Sequence, residues 1–152
     1  MDLRNNPIGI FNVVTNLNIG RPILEEMQDT KELVELADLN YMASEQMKKS
    51  VDYVSSLNYI RIASDIVFDK LDAMLAAENK GIWVDHYELC AKISLTAQNI
   101  CYINSNPEDA DKYFQMIHRN FKSEADLTRS FVLKINYVCC TVYLNPTCKI
   151  FL

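Results

Sequence analysis

Residues 82 to 104 read IWVDHYELCAKISLTAQNICYIN, with Asp85, Glu88 and Lys92 as their only charges, and the chain then stays uncharged from Ile93 to Pro107. Trp83, Tyr87, Cys90, Ala97 and Cys101 recur at helical steps, while Ile82, Leu89, Ile93, Ile100 and Ile103 line the opposite flank. A helix that is apolar all round is buried, and Ser94, Thr96, Gln98 and Asn99 inside it argue for the centre of a bundle over a membrane span. The fold class that follows is all-α: one domain of five to seven helices around this central element.

Working outward, a chain of 152 residues is one domain in size, and folding at that length removes roughly two thirds of the unfolded surface from water. With 49% hydrophobic residues, 3 Gly and 4 Pro, few breakers interrupt long helices. Before the central stretch, Tyr59, Ile62, Ala63, Ile66, Val67, Leu71, Met74 and Leu75 form an i, i+3, i+4 stripe opposite Arg61, Asp65, Asp69 and Asp72, which predicts a helix from Asn58 to Asn79. Gly81 is expected to supply the left-handed residue that closes it. Earlier still, Asp29 and Glu32 have capping-box spacing and predict a helix from Thr30 to Ser55-Ser56, with an apolar stripe through Leu33, Leu36, Ala37 and Tyr41.

After the central stretch, Asn106-Pro107-Glu108-Asp109 reads as a cap, a first-turn proline and two acids at the positive end of a helix dipole. That helix carries Ala110, Tyr113, Phe114, Ile117 and Phe121 on one face. A last helix opens at Ser123 and runs through Leu127, Phe131, Val132, Ile135, Val138, Cys139 and Val142 until Asn145-Pro146. Residues 1–28 read as an amino-terminal arm, extended or helical, with a turn at Gly20-Arg21-Pro22; 29–145 form the bundle and 146–152 a short tail.

The formal net charge of −5 gives no general attraction to nucleic acid or to an anionic membrane surface. Five cysteines are an odd number, and MDLRNN carries an acid and no apolar run, which predicts a reducing, cytoplasmic location. His86 and Cys90 are four apart on one helical face, but a Cys-His nucleophile needs an oxyanion hole that no glycine-containing turn here supplies. The only other histidine, His118, has no ligand spacing around it. Acidic groups such as Asp65-Asp69-Asp72 fall on polar faces, and glycines at 9, 20 and 81 cannot build a phosphate-binding loop. The reading therefore assigns no catalytic, cofactor-binding or metal-ligating residue and expects a protein that is not an enzyme and holds no cofactor.

The segments YIRIASDIVFDKLDAM from Tyr59 and ELCAKI from Glu88, followed by a loop, a helix, a turn and a final helix, resemble the middle of the poxviral Bcl-2-like regulators. That resemblance implies an inhibitor of host signalling or apoptosis that binds proteins through a hydrophobic groove or a flat pairing face. On this basis Tyr59, Ile62, Ile66, Met74, Trp83 and Tyr87 are the expected partner-binding residues, with an amphipathic helix, another protein or a second copy of the chain as occupant. Ala110-x-x-x-Phe114 after the Asn104 to Pro107 turn resembles a degenerate tetratricopeptide hairpin, which implies a peptide-binding module. A structural or assembly role in a virus or phage is the third reading.

Overall fold

A computed structural model describes residues 7–144. The amino-terminal six residues and the expected tail at 146–152, which includes Cys148, lie outside the described residues. Helices α1 (Pro7–Glu26), α2 (Thr30–Lys49) and α3 (Tyr53–Ser64) lead into a π-helical segment, Asp65–Leu71, and α4 (Asp72–Ala77). Then come α5 (Ile82–Asp85), α6 (Tyr87–Ile103), α7 (Pro107–Asn120) and α8 (Glu124–Leu144). Among the described residues there is no strand, and the protein is a single all-α bundle.

The centre is α6, as its apolar perimeter requires. Leu89, Cys90, Ala91, Ile93, Ser94, Thr96, Ala97, Gln98, Ile100, Cys101 and Tyr102 are all buried along it. Helices α3, α7 and α8 pack around it, while α2 packs on α3 and α1 on α2. The polar residues inside are satisfied: Ser94 Oγ donates to the Cys90 carbonyl at 2.8 Å, as serine in a helix interior commonly does. The expected single helix over 82–104 is interrupted at His86, whose φ of −131° and ψ of 41° are not helical. The interruption resets the helical phase so that Trp83 and Tyr87 both meet Phe121, at ring separations of 5.8 and 6.2 Å.

Capping chemistry explains the other boundaries. Asp29 accepts from the Glu32 amide at 3.1 Å and Asn106 from the Asp109 amide at 3.3 Å, so both predicted helix starts stand. The helix expected to run from Thr30 through Ser55-Ser56 instead stops at Lys49, because Val51 takes a left-handed φ of 63° and the Asp52 amide reaches back to the Met47 carbonyl. Asp52 then caps the next helix by accepting from the Ser55 amide at 3.0 Å. The helix expected from Asn58 thus begins at Tyr53, and helical backbone continues through the π segment to Ala77. Gln28, Asn79 and Ser105 end helices in the same left-handed way, each followed by an amide that bonds five residues back. Gly81 does not play that part; it is extended, and Asn79 holds the left-handed position.

The α2–α3 hairpin closes on small polar residues that a search for apolar stripes passes over. Ser44 and Ser56 are both fully buried, their hydroxyls are 2.9 Å apart, and each bonds the other's backbone carbonyl at 3.0 Å. The arm is a 20-residue helix, and the turn expected at Gly20-Arg21-Pro22 does not form, since α1 runs through Pro22. Its hold on the bundle is specific: Ile10 and Val14 pack with Ala43, and the Asn18 and Asn40 amides exchange two hydrogen bonds of 2.9 Å. Arg21 pairs with Asp65, and Lys70 with Glu25 at 3.3 Å. Burial raises the cost of the Asp65 carboxylate's charge, but Arg21 outweighs it and the carboxyl titrates below its usual value.

Candidate docking surface on the last helix

The six residues expected to bind a partner do not share one open surface. Ile66 is fully buried in the main core, and Ile62 and Met74 pack against it half-buried. Tyr59 turns to α1, its ring 5.9 Å from that of Phe11. Trp83 and Tyr87 do come together, but within an aromatic cluster: Trp83 stacks on Phe68 at 5.8 Å, and the Tyr87 hydroxyl accepts the Lys122 amide at 3.1 Å. The space between α3 and α6, where a groove would lie, is occupied by their own packed side chains.

His86 and Cys90 are also separated in role. Cys90 gives its hydrogen bond to the Ile82 carbonyl at 3.7 Å, while His86 lines a shallow depression with Thr30, Val34 and Glu35. Burial, followed by the charge of Asp72, pushes the Cys90 thiol up to about 12, and burial pushes Cys101 up to about 11. Neither thiol is activated as a nucleophile, since the thiolate is the reactive form. Among the described residues no group of three or more His, Cys, Asp or Glu side chains could hold a metal ion. No described helix is long and apolar enough to cross a membrane.

The surface that stands out is α8. The bundle grips it through a side that the apolar line from Phe131 to Val138 does not include: Ser130 is 1% exposed, and Leu133 and Tyr137 pack against the core. A polar joint fixes that side, with Ser130 Oγ donating to Gln98 Oε1 at 2.6 Å and Gln98 Nε2 donating to the Ser130 carbonyl at 3.0 Å. Tyr137 stacks on Tyr102 with ring centroids 4.6 Å apart. At 100° per residue, anchoring 130, 133 and 137 inward turns Phe131, Val132, Ile135 and Val138 outward. These four side chains are between 40% and 57% exposed.

Alongside them runs a shallow groove of about 340 Å³ lined by Phe114, Phe131, Lys134, Ile135, Val138 and Cys139. Its base is rigid, because Phe131 meets both Phe114 and His118 edge-on at 5.2 Å. Lys134, its one charged wall, lies 4.3 Å over the Phe114 ring and pairs with Asp111 at 3.1 Å. From Ile135 to Leu144 the helix carries no charged residue. A contiguous exposed apolar helix face of this kind is a candidate contact site.

On the other flank of α8, a second cleft of about 550 Å³ lies over α6, walled by Tyr41, Glu45 and Lys48 of α2 and by Arg129 and Val132 of α8. Its charges are already engaged: Glu45 with Lys48 and with the Thr96 hydroxyl, and Lys92 close by with Asp38. The signal available in sequence was that α8 has apolar residues on more than one face, more than its packing on α6 and α7 covers.

No family model, no curated protein and no solved structure matches this chain.

Proposed function

We propose that this protein is a non-catalytic helical interaction module that docks a protein partner through the outward face of α8. The observation that carries the reading is the row Phe131, Val132, Ile135 and Val138, apolar and exposed on an ordered helix whose opposite side is fixed by Gln98 and Ser130. An amphipathic helix laid along this face would anchor at i, i+3, i+4 and i+7. Inhibition of host signalling or apoptosis, which the resemblance to poxviral Bcl-2-like regulators implies, is one form this role takes, and its support is the residue pattern of 59–93 alone. In that form the contact surface moves from the expected groove to α8.

Titration of isotope-labelled protein with amphipathic helical peptides, following backbone amides, tests the docking reading. Shifts concentrated in 128–141 are the expected result. Shifts confined to the polar cleft between α2 and α8 would favour an extended-peptide module, and no shift with any apolar peptide would count against docking.

A further inference from the structure

The row on α8 has a spacing that suits one occupant in particular. Thr128, Phe131, Ile135 and Val138, all exposed, follow one another at steps of three, four and three, the seam of a two-helix coiled coil. We infer that this seam pairs with the same seam of a second copy, antiparallel and about a two-fold axis midway between Phe131 and Ile135. The inference rests on the reading of α8 as a docking face. In that register Phe131 lies opposite Ile135 and Thr128 opposite Val138, so the same residues serve both sides, as an isologous contact requires.

Charge selects the direction. The amino-terminal half of α8 holds Glu124, Asp126, Arg129 and Lys134, and the half from Ile135 to Leu144 holds none. A parallel pair would set Lys134 beside its own copy and align the helix dipoles. The antiparallel pair sets each charged half beside an uncharged one and opposes the dipoles. A partner recognised by charge would find nothing to grip on the uncharged half, whereas a second copy needs no charge there.

Area sets the strength. Taking residue surfaces of roughly 150 to 250 Å², the four exposed side chains offer about 300 Å² of apolar surface per copy. Thr128 and Cys139, exposed beside them, add to this, and the pair stays below the roughly 1,000 Å² from which stable specific interfaces are expected. The dimer is therefore weak and concentration-dependent.

Light-scattering mass of the full chain, measured from about 5 to about 500 µM, tests the inference over the range where a small interface assembles. The mass is expected to rise from 17.5 kDa toward twice that value. Ile135→Asp, with an unchanged circular dichroism spectrum, should weaken the association at least about tenfold. Ile23→Asp, on the exposed side of α1, should leave it intact. A mass that stays monomeric at the top of the range overturns the inference, as does a dimer lost with Ile23→Asp and kept with Ile135→Asp. The docking reading is judged separately, because peptide-induced shifts in α8 do not depend on self-association.

Discussion

Helices α6 and α8 are written in nearly the same language and end in opposite environments. Both are long, each carries two leucines or more, two cysteines, two tyrosines and several β-branched apolar residues, and both have a few uncharged polar residues in their interiors. Along α6 eleven residues are buried; along α8, among the described residues, the burial is confined to Ser130. Neighbours make the difference. Helix α6 is surrounded by α3, α7 and α8, whereas α8 packs chiefly on α6 and α7. Apolar content thus states that a face will be covered, without stating whether the cover comes from the same chain.

The cysteines offer the largest contrast, because each helix carries two. Cys139 and Cys140 are exposed and Cys90 and Cys101 buried, all four as free thiols. In dilute native protein the α8 pair should label with a thiol reagent at least about a thousandfold faster than the α6 pair, which reacts only through opening of the fold. Rapid labelling of Cys90 would break the comparison from the α6 side. It would also reopen a chemical role for His86, to be followed with His86→Ala.

Core truncation comes next. Ile100→Ala in α6 should cost about 3 kcal/mol in urea unfolding, since a fully buried isoleucine leaves a cavity. A cost below about 1 kcal/mol would mean that α6 is not the centre of the bundle. Ser130→Ala should cost about 1 to 3 kcal/mol by leaving Gln98 Oε1 buried without its donor. Amide hydrogen exchange should then rise along α8 before α6, and an increase spread evenly over both would contradict the joint assigned to Gln98 and Ser130.

Much of this organisation was legible in the chain. Asp29, Asn106 and Pro107 marked helix starts through satisfied amides, and the uncharged run from Ile93 marked the buried helix. Other features lacked a local signal. Helix α1 contains Pro22, and its hold depends on Asn40 and Asp65, distant in sequence. The α2–α3 turn rests on a left-handed valine where sequence reasoning looks for glycine. The aromatic cluster of Phe68, Trp83, Tyr87 and Phe121 joins three separated segments, so Trp83 and Tyr87 read as binding residues when they pack internally. The inward side of α8 had no local signal either, because Ser130, Leu133 and Tyr137, and not Phe131, Val132, Ile135 and Val138, make its core contact.

A smaller effect concerns the joint between α7 and its neighbours. Hydrogen bonds from Lys112 and Asn106, with Arg61 adding a third, hold the Asp109 carboxyl at about 2. Because this folded-state value lies below the roughly 3.9 of an unfolded aspartate, the contribution is present above pH about 4 and fades as pH falls toward 2. Asp109→Asn should therefore flatten the melting-temperature profile between pH 4 and 2, as about 2 and 3.9 bracket it. An unchanged profile would place the acid sensitivity elsewhere, for instance at Asp65 beside Arg21.

The most direct test of the account is the unfolding free energy of Ile135→Asp in urea at low protein concentration, where self-association is absent. A solvent-facing position tolerates the charge, and the change should stay within about 0.5 kcal/mol. A loss of about 3 kcal/mol or more, the cost of burying an unpaired charge in a core, would show that α8 turns its apolar face inward and would contradict a docking surface on this helix.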